Sequence, residues 1–262
     1  MRRVLVILHI WYKDQVDYFI SKLKNISGCE WDLWVTMGCE DDAVTDKLKV
    51  FRSDAKIIIV PNIGYDIGPY IRAVKSGDIS GYDYILKLHT KGSMPKNDRI
   101  NGVKLGGWRW RDHLVNSLLG TKKRFLKALA KLENEQVGMV CCYELYKRLR
   151  SYLPEDSYML EAEAARVGCR VNVRKFCAGS MFIVRTAALK KIIEADIDFD
   201  AWDKTSKSHS IGSLAHVYER LLCIAVTDAG YKIACSRSTL PTASQAALYN
   251  LKSILKPGKR NR

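Results

Sequence analysis

Val4–Ile10 is an apolar run, the pattern of a strand buried on both faces of a parallel sheet. Asp14–Ile26 follows with Val16, Phe19, Ile20 and Leu23 at helical spacing. The alternation continues. Asp32–Met37 predicts a second strand, Ala43–Phe51 a helix, Ile57–Val60 a third strand, Gly68–Lys75 a helix and Tyr82–Leu88 a fourth strand. Such strict β-α order predicts an α/β fold with a Rossmann-type, mostly parallel sheet and right-handed crossovers.

Beyond residue 91 the pattern is looser. Lys91–Gly107 is rich in Gly, Asn, Asp and Lys and reads as a loop. Helices are expected over Trp108–Leu119, Lys122–Leu132, Pro154–Val167, Thr186–Ala195 and Ser213–Val226. Strands are expected over Val137–Cys142, Phe176–Val184 and Tyr231–Cys235. No repeat or low-complexity linker interrupts residues 1–244, which are read as one domain. In the tail, Gln245–Arg262, Ala247, Leu248, Leu251, Ile254 and Leu255 share a helical face ahead of Lys256, Lys259, Arg260 and Arg262. Two readings stand: a helix lying on an anionic membrane surface, or a docked terminal helix with a frayed basic end.

Composition narrows the class. The 262 residues carry a net charge of +15, which calls for an acidic partner. No helix-turn-helix, zinc-finger or RNP pattern accompanies that charge, so nucleic acid is the weaker candidate. No run of about 18 apolar residues is present, and none is expected to span a bilayer. The start, Met1–Trp11, lacks a small-residue cleavage site and reads as the first strand rather than a signal peptide. Eight scattered cysteines without C-x-x-C fit neither a zinc site nor a disulfide framework, which points to buried thiols in a reducing cytoplasm.

The chemistry gathers at strand ends. Ligands of doubly wound α/β proteins sit there, because helix N-termini and free backbone N–H groups collect at that edge. Asp66 lies in a Gly-punctuated turn after the third strand, and His89 and Lys91 end the fourth. An aspartate beside a histidine and a lysine suits an anionic, hydroxyl-rich ligand such as a nucleotide-sugar. The first turn has no G-x-G-x-x-G, so dehydrogenase-type dinucleotide binding has no support.

Five ordered blocks then match a known pattern: N-x-G-x-D-I-G-P (Asn62–Pro69), Y-D-Y-I-L-K-L-H-T-K (Tyr82–Lys91), W-R-x-x-L-x-x-x-L-L-G (Trp110–Gly120), A-G-S-M-F (Ala178–Phe182) and L-A-H-x-x-E-R-L (Leu214–Leu221). Together they resemble the rhamnan synthesis protein F family of cell-surface polysaccharide glycosyltransferases. The resemblance implies a GT-A-like fold and a nucleoside-diphosphate sugar donor, with dTDP-rhamnose favoured. It also implies a lipid-linked glycan acceptor at the inner face of the plasma membrane. The chain departs from the pattern at Tyr65, where the family has Arg, and at Gly92, where it has a second Lys. Ile211-Gly212-Ser213 replaces Asp-Gly-Thr, which removes a carboxylate.

The resemblance also assigns roles. Tyr82–Lys91 is similar to the GT-A strand that ends in Asp-x-Asp and holds a divalent metal, with His89 and Lys91 in the aspartate positions. Those side chains offer no hard oxygen ligands, so metal-independent transfer without any cofactor is expected, with protein-borne positive charge on the diphosphate. A strand-capping role for the pair is the alternative. Asp66 accepts sugar or ribose hydroxyls, or bonds only its own backbone as a turn residue. Asn62 and Gly64 belong to the same binding turn. Asp41 and Asp42 read the nucleoside, or Asp42 caps a helix; His9 and Tyr12 line the base pocket. Glu219 is the expected general base with His216 orienting it or the acceptor, or else Glu219 and Arg220 form a structural ion pair. Arg111 is a phosphate clamp or a surface arginine, and Gly179 lets the backbone approach the sugar. Two rival functions remain: a catalytically silent glycan- or nucleotide-binding relative, and a nucleic-acid-binding α/β protein.

Overall fold

The computed structural model describes residues 1–93, 99–100, 103–148, 154–172, 175–202 and 213–236. Strands β1 (Arg3–Ile10), β2 (Glu30–Met37), β3 (Lys56–Ile59) and β4 (Tyr84–His89) alternate with helices α1 (Val16–Leu23), α2 (Asp42–Phe51) and α3 (Ile67–Lys75). A short hairpin, β5 (Arg99–Ile100) with β6 (Val103–Lys104), lies in the segment read as loop. Then come α4 (Arg109–Leu119), α5 (Lys122–Lys131), β7 (Val137–Cys141), β8 (Tyr146–Arg148), α6 (Pro154–Arg166), β9 (Lys175–Cys177) and β10 (Phe182–Arg185). The last elements are α7 (Lys190–Glu194), α8 (Leu214–Asp228) and β11 (Lys232–Cys235).

Seven strands form the main sheet in the order β11-β7-β10-β4-β1-β2-β3. Every pairing is parallel except those of β10, which runs antiparallel to both β4 and β7. The expected α/β architecture is therefore present, with one reversed strand. Alternation along the central strands sorts side chains onto two faces. Val4, Val6, Leu8, Leu86 and Leu88 pack with α1, α2, α4 and α5. Leu5, Ile7, Ile85 and Phe182 pack with α3, α6, α7 and α8.

Two expected elements differ. Phe176–Val184, expected as one strand, is broken into β9 and β10 by a turn in which Gly179 and Ser180 take φ of 83° and 45°. Their left-handed backbone reverses the chain, so β9 leaves the main sheet to pair with β8. Thr186–Ala195 is a 3-10 turn followed by the short α7 rather than one helix. All eight cysteines are free thiols, and five are buried. The tail, 245–262, lies outside the described residues.

Candidate active site

A lysine in the middle of the sheet organises the site. Lys87, flanked by Leu86 and Leu88 on β4, is 1 % exposed. Strand alternation aims it at the α3/α8 face, where its ammonium needs partners. Lys87 Nζ donates to Asp66 Oδ2 at 2.5 Å, to the Ser180 carbonyl at 3.0 Å and to Ser180 Oγ at 3.1 Å. The Ser180 hydroxyl donates to the same Asp66 oxygen at 2.5 Å. Asp66 precedes α3, yet its side chain makes no capping bond. The backbone-only reading of this aspartate is excluded.

Above this pair opens a cavity of about 250 Å³, lined by Tyr65, Asp66, Ile67, Lys91, Trp110, Gly179, Ser180, Ala215, His216 and Glu219. Glu219 Oε1 accepts the Gly179 N–H at 2.9 Å, which aims the carboxylate at the β9–β10 turn. His216, one turn earlier on α8, lies on the same side; its Nδ1 is 2.7 Å from Ser213 Oγ. Lys91 enters from the segment after β4, whose backbone is held by Gln15: the amide Nε2 donates to the Lys91 carbonyl at 2.9 Å.

The backbone around the cavity is forced. Gly64 has φ of 80°, and a Cβ there would lie 2.4 Å from the buried Trp202 ring. A Cβ on Gly68 would lie 2.0 Å from the Ile63 carbonyl oxygen. Both glycines of N-x-G-x-D-I-G-P are thus required. Among the described residues, Tyr65 and Ser180 are the non-glycine residues with positive φ, and both line the cavity. Stored backbone strain of this kind concentrates at functional sites.

Burial sets the protonation states. It raises the Glu219 carboxyl above its ordinary value, and the Asp66 charge adds to the effect. Burial also pushes Asp66 upward, but the adjoining His89 ring, the Lys87 ammonium and the Ser180 hydroxyl outweigh it. The carboxyl ends well below the usual range. Lys91 is lowered by burial, against the pull of Asp66 and Glu219. Asp66 is therefore a fixed anion, and Glu219 is a weaker acid than usual.

Of the residues expected from sequence, Asp66, Lys91, Gly179, His216 and Glu219 meet in the cavity. Gly64 shapes it from behind. His89 does not line it. The ring is buried, 3.4 Å from Asp66 Oδ2, and burial drives the imidazole well below its ordinary value. Burial disfavours the charged ring against the pull of Asp66, and His89 stands behind Asp66 rather than at the cavity wall where it was expected. Parallel register sets His9 beside it and Thr36 beyond. His9 Nδ1 lies 3.0 Å from Thr36 Oγ1 and burial lowers the imidazole to about 4; the ring is buried and does not line the cavity.

Other placements also change. Asp41, not Asp42, caps α2, accepting the Val44 N–H at 3.0 Å, and it pairs with Lys13 at 2.8 Å. Tyr12 and Asn62 are exposed and outside the cavity. Arg111 lies against the Tyr18 ring at 3.7 Å and pairs with Asp112 at 2.8 Å, away from the cavity. Arg220 turns from Glu219 to the His216 carbonyl and the Phe176 ring. Sequence reasoning missed Lys87, Ser180, Tyr65 and Trp110. The signal for Lys87 was available: a lysine inside an otherwise apolar strand needs a buried anion.

Comparison with known proteins adds to this geometry. Residues 1–231 match the rhamnan synthesis protein F family. Two Xanthomonas campestris pathovar campestris proteins called WxcX, both uncharacterised, are 25% identical over 240 residues. The match covers 90% of this chain and 33% of theirs, so the chain spans about a third of these curated relatives. Among solved structures, Staphylococcus aureus TarS with UDP aligns with a TM-score of 0.48 at 13% identity, covering 90% of this chain and 57% of that one. A Pyrobaculum calidifontis mannosyltransferase with GDP-mannose and Mn²⁺ aligns at 0.43 and 10%, covering 98% and 65%.

Proposed function

The chain belongs to the rhamnan synthesis protein F family, and from that premise we propose that it is a GT-A-like glycosyltransferase acting on a nucleoside-diphosphate sugar. One observation carries the proposal. The described residues lining the cavity come from all five sequence blocks, which lie up to about 160 positions apart in the chain. A fold has no packing reason to draw its recurrent motifs to one small polar cavity, whereas a binding site does.

The residues divide the work. Lys91 places an ammonium at the cavity wall, where departure of a nucleoside diphosphate develops negative charge. Asp66, held rigid by Lys87 and Ser180, accepts hydroxyls of the sugar or ribose. Glu219, whose raised pKa suits proton abstraction near neutral pH, takes the proton of the acceptor hydroxyl, and His216 holds that hydroxyl in line. Transfer proceeds without a divalent metal on the diphosphate. The donor favoured by the family is dTDP-rhamnose, and the acceptor is a lipid-linked glycan. The basic surface and tail hold the chain at the inner face of the plasma membrane. Among the described residues no helix is long and apolar enough to cross a membrane.

The test is release of nucleoside diphosphate from a panel of nucleotide-sugars, with and without lipid-linked acceptor. Acceptor-stimulated release is expected, falling at least about a hundredfold in Glu219→Gln while donor binding persists. Saturable binding with no turnover on any donor would identify a catalytically silent relative. Steep salt-dependent duplex DNA binding without nucleotide-sugar binding would place the chain elsewhere altogether.

A further inference from the structure

On the opposite face of the sheet, three side chains from separate places converge. His113 comes from α4, Cys142 follows β7, and Glu144 sits in the 3-10 turn Tyr143–Leu145. His113 Nε2 lies 3.1 Å from Glu144 Oε2 and 3.2 Å from Cys142 Sγ. The thiol sulfur and the carboxylate oxygen are 3.4 Å apart. Cys142 is fully buried, and the His113 and Glu144 side chains are 4% and 2% exposed. Among the described residues this is the one group of three His, Cys, Asp or Glu side chains spaced to hold a metal ion.

The triangle has the dimensions of a coordination face. With bonds of about 2.0–2.3 Å, tetrahedral zinc holds its N, S and O donors roughly 3.3–3.7 Å apart and sits about 0.7 Å off their plane. The three atoms here need to spread by only a few tenths of an ångström to reach that spacing. Donor chemistry agrees: one soft thiolate, one imidazole and one carboxylate suit a borderline ion such as Zn²⁺ far better than Mg²⁺. A chain of ordinary hydrogen bonds would string the groups out. Here each of the three atoms lies within 3.4 Å of both others instead.

We propose that His113, Cys142 and Glu144 bind a single Zn²⁺ ion, with water completing the fourth position. On binding, the Cys142 thiol releases its proton to solvent, and the hexahydrated ion sheds five waters as Sγ, Nε2 and Oε2 bind and one water stays in the fourth position. The ion ties α4 to the end of β7. Trp110, three residues before His113, lines the cavity, so the metal braces one wall of the cleft without touching the diphosphate. The site escapes notice in the sequence because its ligands are about thirty positions apart and match no zinc motif.

The test uses the full chain, kept reduced with a phosphine and titrated with Co²⁺ in place of Zn²⁺. Wild type is expected to develop a thiolate-to-cobalt charge-transfer band that saturates at one equivalent and disappears when one equivalent of Zn²⁺ is added. Cys142→Ser is expected to lose the band, and His113→Gln to weaken Co²⁺ binding at least tenfold. Absence of the band in wild type, or its persistence at full intensity in Cys142→Ser, overturns the proposal. If Cys142→Ser does not fold, the His113→Gln titration decides, and unchanged affinity there is the contrary result. No nucleotide-sugar enters the measurement, so its outcome is independent of the proposed transferase activity.

Discussion

Glu219 and Lys91 face the same cavity with shifted protonation equilibria, and the shifts give the account its pH signature. Burial, then the Asp66 charge, raises Glu219, so the basic form needed for catalysis is lost earlier on acidification than for an ordinary glutamate near 4.3. Burial lowers Lys91, so its positive charge is lost earlier on alkalinisation than for an ordinary lysine near 10.4. The expected pH–kcat/KM profile is a bell whose limbs are drawn inward from both values. Glu219→Gln should abolish the acid limb in the residual rate. A wild-type profile that stays flat down to about pH 4.5 would remove Glu219 from the role of base. At this scale the sequence was half legible. Asp66, Lys91, His216 and Glu219 were visible through their motifs. His89 was placed in the cleft by its position in the Asp-x-Asp-like strand end, and His9 because it closes the first strand. Strand alternation turns both onto the face that carries Lys87, where they are buried and outside the cavity.

The elements that build the cleft are turns, and their backbone is the most demanding part of the fold. Gly64 combines φ of 80° with direct packing on Trp202, which in turn stacks on Tyr218 of α8 at 4.8 Å. Gly64→Ala is therefore expected to cost about 2–4 kcal/mol, from left-handed strain plus overpacking. Urea unfolding measures it, with Val50→Ala on the exposed face of α2 as a control expected to change little. An equal effect of the two substitutions would contradict this reading of the turn. The first four strands were legible because each is a mostly apolar run bounded by turn residues. Phe176–Val184 was misread because its flanking apolar residues outweighed the one mark of the reversal, the turn-type pair Gly179-Ser180. That reversal carries Ser180 to Lys87 and Gly179 to Glu219, so the missed turn is also the missed part of the site.

For the whole molecule, net charge of +15 sets long-range behaviour. If the chain works on a lipid-linked acceptor, it should co-sediment with vesicles containing anionic lipid and not with neutral ones. Binding should weaken as salt shortens the screening length, and removal of 245–262 should reduce it several-fold. Equal binding to neutral vesicles would count against an electrostatic hold. Overall charge was legible in the sequence, and so was Lys91; the pairing of Lys87 with Asp66, which leaves Lys91 as the lysine at the cavity wall among the described residues, was not.

The central claim is that Lys91, backed by the Lys87–Asp66 pair, receives the donor diphosphate in place of a metal. It is tested most directly by thermal shift with nucleoside-diphosphate sugars, in EDTA and in Mn²⁺, for wild type and Lys91→Ala. Each shift is taken against ligand-free protein in the same buffer, since a ligand stabilises by RT ln(1 + [L]/Kd). The account predicts equal stabilisation of wild type in both buffers and its loss in Lys91→Ala. Stabilisation that appears only with Mn²⁺, or that survives unchanged in Lys91→Ala, would contradict it.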